Sequence, residues 1–259
     1  MGTDRQATAA RFASLMDRLQ AHPVLVPTPA GGSVPITYAE AVSFVLGALY
    51  QERAWQGLAA ILQQLDRGGG PLLLAFVLPP PTVYDNTAEA RAAIACADAD
   101  GPRDPRAWPP AARMANEQGP YFGSLWTYLS LPCATWPSST HQDRYVGPFD
   151  RVMSNPILVV GNRFDPATPY AGAQALTGEL GNARLLTLDG WGHTATFQPS
   201  TCAHDAMDRY LVDLTLPPVG TVCKPDGGPF DAPPTATAGV VPQTVLPGLP
   251  PLPGWLPMG

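Results

Sequence analysis

Hydrophobic residues in the first part of the chain recur every three or four positions, the spacing of one face of an α-helix. A capping box at Thr3–Gln6 precedes the first stripe, a second at Thr37–Glu40 precedes the next, and Gly68 follows the third. The segment "PTPAGGSVP" is predicted to be a loop, and Pro110–Tyr128 a helix interrupted near Gly119-Pro120. We expect the stripes to form a helical core: Phe12/Leu15/Met16/Leu19, Val42/Leu46/Leu49 and Trp55/Leu58/Leu62/Leu65.

The second part of the chain has a different pattern. Pro156–Asn162 and Ala183–Gly190 are short apolar runs typical of buried strands, and helices are predicted over Pro169–Leu180 and Thr201–Leu214. Strand, helix, strand and helix joined by short connections indicate a parallel sheet in an α/β fold. From Asp231 onward the chain is too rich in proline to join a sheet, so an extended or disordered tail is predicted.

Composition restricts the function classes. The 259 residues are 45% hydrophobic and 14% charged, which is typical of a globular protein. The net charge of −6, from 15 basic and 21 acidic residues, argues against nucleic acid as a partner. The longest purely apolar run, Leu72–Leu78, is far shorter than the roughly 20 residues of a membrane-spanning helix, so no span is predicted. No glycine motif for phosphates or dinucleotides is present, and we expect no cofactor.

The four cysteines point to an oxidising compartment. Cys96, Cys133, Cys202 and Cys223 lie far apart with no histidine at metal-ligand spacing, so a metal site is not expected. An even number in loop-rich surroundings favours two disulfides, with four buried thiols as the alternative. The amino terminus carries no apolar signal core, and an exported pattern without an export signal leads us to expect that the chain is incomplete.

Asp165 and His193 are the candidate catalytic residues. Each follows one of the two predicted strands, and the carboxyl ends of adjacent parallel strands meet at one edge of a sheet. An aspartate that accepts the histidine Nδ1–H leaves Nε2 free to take a proton from a hydroxyl. The order aspartate then histidine is that of the last two residues of an α/β-hydrolase triad.

No other residues form a comparable site. Ser33 in "AGGSVP" and Ser124 in "YFGSLW" do not lie on a predicted strand-to-helix turn, so neither is expected to be a nucleophile. His204 and Asp205 are predicted to form a helix-surface pair, and the loop segment His141–Asp143 has no third ligand nearby.

Three segments carry a family resemblance: "AIACADA", "NPILVVGNRFDPATP" and "DGWGHTATFQPSTCAHDAMDRYLVDLTLPPVGTVC". They resemble the C-terminal half of secreted tripeptidyl-aminopeptidase-like α/β-hydrolases, which are related to the proline iminopeptidases. The resemblance implies a partial α/β-hydrolase fold with a mostly helical lid at 1–111, part of the hydrolase core at 112–230 and a Pro-rich tail at 231–259.

The same resemblance implies roles for individual residues. Asp165 would orient His193, and Cys96 would pair with Cys133 and Cys202 with Cys223 in a secreted or cell-envelope protein. The substrate would be a peptide with a free amino terminus, bound by lid carboxylates. The sequence does not choose among the candidates Glu40, Glu52, Glu89 and Glu117.

The chain departs from the family in one respect that affects function. No His-Gly-Gly oxyanion loop and no G-x-S-x-G elbow is present, so we expect no nucleophile in this chain. The leading hypothesis is the C-terminal portion of a serine exopeptidase, inactive by itself. The alternatives are a non-catalytic hydrolase-like binding module, the remnant of a truncated gene, and an esterase or other α/β-hydrolase chemistry.

Overall fold

A computed structural model describes residues 4–28, 31–70, 72–73, 86–137 and 144–231. Counting these residues alone, the chain forms two compact units. The first contains residues up to 46 and from 58 to 145, and the second contains residues 47–57 and 146–231. The predicted boundaries at 111 and 230 stay a prediction.

The first unit begins with helix α1, Arg5–Ala21. Its N-cap is Asp4, which accepts the Ala7 N–H at 2.8 Å, while Thr3 of the predicted box lies outside the described residues. Helix α2, Tyr38–Leu49, has the predicted capping box. There the Thr37 N–H donates to Glu40 Oε2 at 2.6 Å, and the Glu40 N–H donates to Thr37 Oγ1 at 3.4 Å.

The prediction of a loop between these two helices is wrong at both ends of the segment, where short strands form. Val24–Pro27 (β1) and Ser33–Ile36 (β2) pair as antiparallel strands, with Val26 opposite Val34. The turn is made possible by Gly31 and Gly32, whose φ values of 90° and 81° lie in the left-handed region. The prolines that suggested a loop are compatible with a short two-stranded ribbon, in which every strand is an edge.

The remaining helices before the sheet are α3 (Trp55–Asp66), α4 (Thr87–Asp98), α5 (Trp108–Gln118) and α6 (Phe122–Leu129). The sequence pattern predicted α3 and the pair α5 and α6, whereas α4 was not predicted. The interruption at Gly119-Pro120 separates α5 from α6, and a Cβ on Gly123 would lie 2.2 Å from the Ala115 carbonyl oxygen, so these two helices pack backbone to backbone. A disulfide joins Cys96 to Cys133, as predicted.

The second unit contains the predicted parallel sheet. Its strands are β3 (Ile157–Phe164), β4 (Ala183–Trp191) and the two-residue β5 (Val222–Cys223), in the order β3-β4-β5 with both pairings parallel. Helix α7, Tyr170–Glu179, connects the first two strands, and α8, Thr201–Asp213, precedes the third. The partial α/β fold is therefore confirmed.

Both long strands extend beyond their predicted ends. An irregularity between Asn162 and Phe164 shifts the register of β3 against β4, so that Phe164 pairs with Trp191. The added residues are Arg163 and Phe164 in β3 and Trp191 in β4. The apolar pattern could not reveal them, because Asn162 and Arg163 in β3 and Asp189 and Gly190 in β4 interrupt the apolar run before each strand ends.

The second disulfide, Cys202–Cys223, joins the first turn of α8 to β5, as predicted. Ser200 caps α8 by accepting the Ala203 N–H, and its hydroxyl donates to the Lys224 carbonyl at 2.8 Å. Asp226 accepts the Thr201 N–H at 2.9 Å. These contacts and the buried cluster around Leu186 and Leu188 fix the end of the sheet that carries the site.

Within the described residues, none of the helices combines the length and apolarity needed to cross a bilayer. The tail from residue 232, most of the apolar run Leu72–Leu78 and the segment His141–Asp143 lie outside the described residues.

Candidate active site

Asp165 follows the last residue of β3 and makes an unusually complete set of contacts for a single carboxylate. Its side chain is 3% exposed. Oδ1 accepts the N–H groups of Ala167 and Thr168, both at 2.8 Å, and Oδ2 accepts the Thr168 hydroxyl at 3.0 Å. Oδ2 also accepts the Thr194 N–H at 3.2 Å. The turn after β3 therefore holds the carboxylate in one orientation.

His193 lies two residues after the end of β4, and its imidazole reaches this carboxylate. Nδ1 is 3.0 Å from both Oδ1 and Oδ2 of Asp165. Because an ionised carboxylate only accepts hydrogen bonds, Nδ1 carries the proton and the lone pair is on Nε2. Nε2 makes no hydrogen bond to any residue that the structure describes, and the side chain is 26% exposed.

The charge state of Asp165 agrees with this tautomer. Burial acts to raise the pKa of Asp165, but the backbone N–H groups of Thr168 and Ala167, His193 and the Thr194 N–H together outweigh it. The pKa of Asp165 therefore lies below its ordinary value, and the carboxylate is ionised at neutral pH.

Three residues that sequence reasoning missed surround the histidine loop. The Tyr50 ring lies edge-on to the His193 imidazole, with centroids 4.8 Å apart, and the Tyr50 carbonyl accepts the His193 N–H at 2.7 Å. Gln198 donates to backbone carbonyls of this loop, and the buried Asn162 donates to the Gly192 carbonyl at 2.9 Å. Only Asn162 and Gln198 lie in segments that the sequence had linked to the site, and no pattern distinguishes them there.

The two serines considered in the sequence do not lie on strand-to-helix turns, and the serines of the second unit are placed away from the His193 imidazole. Ser33 lies in β2 and Ser124 in α6, so neither occupies a strand-to-helix turn. Within the second unit, Ser200 is buried as the cap of α8. Ser154 precedes the first residue of β3, whereas His193 contacts Asp165, which follows the last residue of that strand. An eight-residue strand is roughly 26 Å long, so Ser154 is far from the imidazole.

Of the four candidate carboxylates, Glu52 is distinguished by its burial. It is 3% exposed, Oε2 has no hydrogen-bond partner among the described residues, and burial raises its pKa. Glu40, Glu89 and Glu117 are exposed, and Glu40 is used in the capping box. Glu52 lies in a turn between Tyr50, which contacts His193, and Trp55, whose ring centroid is 6.2 Å from that of Trp191.

The other candidate residues remain separate from this site. His204 lies on α8 with its Nε2 3.3 Å from the carbonyl oxygen of Ala195, and Asp205 beside it is exposed. The described residues contain no cluster of three or more potential metal ligands.

The chain matches a protein-family model and is similar to several curated proteins. Residues 119–223, which include Asp165 and His193, match the family model described as TAP-like protein. The chain is 33% identical over 238 residues to Carboxylesterase B of Mycobacterium tuberculosis, covering 87% of this chain and 44% of that protein.

Two further relatives carry peptidase names. The chain is 31% identical over 239 residues to the serine protease Hip1 of Mycobacterium tuberculosis, covering 86% of this chain and 44% of the relative. It is 29% identical over 208 residues to a tripeptidyl aminopeptidase of Streptomyces lividans, covering 78% and 38%. The chain spans less than half the length of these curated relatives.

Proposed function

We propose that this chain, whose residues 119–223 match the TAP-like family model, supplies the acid and the base of a serine-hydrolase triad. Asp165 is the acid and His193 the base, and the nucleophile comes from a segment outside this chain. The observation that carries the proposal is the position of His193 Nδ1, 3.0 Å from both oxygens of a buried, ionised carboxylate.

The proposed chemistry follows from the tautomer. His193 Nε2 takes the proton of a serine hydroxyl as the serine oxygen attacks the substrate carbonyl carbon. The imidazolium is stabilised by Asp165 and then donates the proton to the leaving nitrogen, which departs as the acyl-enzyme forms. A water molecule, deprotonated by the same Nε2, releases the acid and regenerates the serine.

We assign recognition of the substrate amino group to Glu52. A buried carboxylate oxygen without a hydrogen-bond partner, such as Glu52 Oε2, is costly in the free protein, and an ammonium group would offset that cost. Because Glu52 is two residues from Tyr50, which contacts His193, an amino terminus held there lies near the scissile bond of a short peptide. Peptides with a free amino terminus are therefore the proposed substrates.

Replacing Glu52 by glutamine tests this assignment. Below the ordinary glutamate pKa, both folded and unfolded chains hold the proton, so wild type and Glu52→Gln should be equally stable. As pH rises, the unfolded chain loses the proton before the folded chain, whose pKa is raised, so the stability of the wild type falls relative to the variant. We expect Glu52→Gln to be more stable at neutral pH by about 0.5–2 kcal/mol, measured by urea unfolding across the pH range.

In the completed enzyme the same variant should raise KM for peptides with a free amino terminus by about 10- to 100-fold, the usual strength of a charge-assisted hydrogen bond. N-acetylated substrates should be unaffected. The matched control is Glu179→Gln, an exposed glutamate of α7 in the same unit, which should change neither quantity. A Glu52→Gln variant with unchanged KM for free peptides would remove Glu52 from the substrate site.

Ester hydrolysis is the second candidate, favoured by the similarity to Carboxylesterase B. Both reactions use the same acid and base, so the comparison of p-nitrophenyl esters with tripeptidyl p-nitroanilides in the completed enzyme distinguishes them. A preference for esters that does not depend on a free amino group would select the esterase. Two disulfides support an exported, oxidising location for either enzyme.

The isolated chain provides the direct test of the proposed division of the triad. We expect it to hydrolyse aminoacyl and tripeptidyl substrates no faster than buffer, and to show no specific labelling by a fluorophosphonate probe, because no hydroxyl is activated by His193. A His193→Ala chain sets the background labelling. Labelling of Ser33 or Ser124 that depends on His193 would place the nucleophile within this chain.

A further inference from the structure

Gln198 occupies a central position behind the histidine loop. It is 1% exposed, and its side-chain amide nitrogen lies 3.1 Å from the His193 carbonyl oxygen, 3.3 Å from that of Thr194 and 3.2 Å from that of Tyr50. The orientation of the amide follows from these partners, since the opposite one would face its oxygen toward three carbonyl oxygens. One NH₂ group therefore lies within hydrogen-bonding distance of the carbonyl groups of His193, Thr194 and Tyr50, and links these two segments of the backbone.

The backbone around His193 adopts conformations that require support. Gly192 has φ of 81° and Thr194 has φ of 60°, and threonine rarely adopts such a value. A Cβ on Gly192 would lie 2.5 Å from Gln198 Oε1, so the glycine also makes room for the buried amide. The Tyr50 carbonyl accepts both the His193 N–H and a Gln198 N–H, which joins the two segments through one oxygen.

We infer that Gln198 is a positioning residue for the acid–base pair, and that its amide holds the backbone of residues 193–194 so that His193 Nδ1 and the Thr194 N–H both point at Asp165. Without the amide, the carbonyl groups of Tyr50, His193 and Thr194 lose a donor, and the backbone of Thr194 can relax from its φ of 60°. The imidazole would then no longer be held with Nδ1 toward the carboxylate. The importance of Gln198 for catalysis rests on the proposed function. The contact between His193 and Asp165 that it maintains is formed entirely by residues of this chain, and can be measured without the nucleophile.

The test is the tautomer of His193 in the isolated full-length chain, read from long-range ¹H–¹⁵N NMR spectra and assigned by comparison with His193→Ala. We expect the wild type to show one tautomer with the proton on Nδ1. In Gln198→Met, which keeps the length of the side chain and removes its donor, the proton should be shared between Nδ1 and Nε2. Gln174→Met, an exposed glutamine of α7, is the matched control and should keep the wild-type tautomer.

A second variant keeps the inference testable if Gln198→Met does not fold. Gly192→Ala keeps the Gln198 side chain but places a methyl group within 2.6 Å of its amide oxygen, carbon and nitrogen, so the amide must move and the same mixture of tautomers is expected. A folded Gln198→Met or Gly192→Ala that is less stable yet retains the single Nδ1–H tautomer would show that Gln198 only supports the fold, and would overturn the inference.

The completed enzyme adds a kinetic measurement. Gln198→Met should lower kcat by roughly 10²-fold with little change in KM, the cost of a small misplacement of a catalytic group. An enzyme that cannot be completed would count against the proposed function but not against the role of Gln198, because the tautomer is measured without it. A kcat unaffected by Gln198→Met in an active enzyme would contradict that role.

Discussion

Combining this chain with the nucleophile-bearing portion of a relative is expected to produce peptidase activity that disappears in His193→Ala. Asp165→Asn should lower kcat by roughly 10⁴-fold, if the loss measured in better-known triads transfers to this one. Suitable material is the portion of the Streptomyces lividans tripeptidyl aminopeptidase that lies outside the segment matched by this chain, since this chain covers 38% of that protein. Hydrolysis of a tripeptidyl p-nitroanilide is the measurement.

The two substitutions act at different atoms. His193→Ala removes Nε2, and with it the base that accepts the serine proton. Asp165→Asn keeps the size of the side chain but replaces an acceptor oxygen by an NH₂ donor beside Nδ1, which favours the tautomer with the proton on Nε2. In that tautomer Nε2 cannot accept a proton, so the base is present and inactive.

Two matched variants separate this effect from general damage. His204→Ala removes a histidine of α8 that does not contact Asp165, and Asp189→Asn removes an aspartate of β4 that pairs with Arg163. Both should retain most of the restored activity. Restored activity that does not depend on His193 would mean that this chain contributes only structure, and the binding-module hypothesis would then be correct.

The positions of Asp165 and His193 could be predicted because they depend on a short-range rule. A buried parallel strand produces a continuous apolar run, and "ILVV" and "LLTL" mark β3 and β4 without any knowledge of the rest of the chain. Once the two strands pair in parallel, the residues that follow them must meet at one edge. The same reasoning placed α1, α2 and α3, whose apolar faces recur at helical spacing.

Elements that lack such a pattern were missed. Strand β5 has two residues, too few for any periodicity, and it is defined by the pairing of Thr187 with Val222 and Leu188 with Cys223. The strands β1 and β2 have four residues each, and two of these eight positions are prolines. Helix α4 was not predicted because its alanine-rich sequence has no clear apolar stripe.

The residues that orient His193 could not be predicted from the sequence for a different reason. Tyr50 contacts both His193 and Gln198. It is separated from Gln198 by 148 positions in the sequence, so only the folded backbone brings these residues together. Glu52 also appeared equivalent to three other glutamates until its burial was known. The pattern of apolar runs identifies the candidate acid and base, whereas the residues that orient them depend on long-range packing.

The Cys202–Cys223 disulfide is expected to stabilise the second unit, which carries Asp165 and His193, by about 3 kcal/mol. The bond closes a loop with a sequence separation of 21, and the loss of loop-closure entropy in the unfolded chain gives a value of this size. It also holds the first turn of α8 against β5, next to the hydrogen bonds of Ser200 and Asp226. Replacing both cysteines by serine should therefore accelerate hydrogen exchange of the β3 and β4 amides by roughly 10²-fold, wherever that exchange requires unfolding of the unit.

The Cys96–Cys133 disulfide provides the control, since it lies in the other unit and closes a longer loop, with a separation of 37. Replacing that pair by serine also removes one disulfide from the protein. We expect hydrogen exchange to accelerate most in α4 and around Cys133, and not in β3 and β4. Equal acceleration of the β3 and β4 amides in both double variants would show that the position of Cys202–Cys223 has no special effect on the sheet. Unchanged exchange of β3 and β4 in the Cys202→Ser/Cys223→Ser variant would mean that the Ser200 and Asp226 contacts hold α8 without the disulfide, and that the entropy of the unfolded chain does not limit the stability of the site.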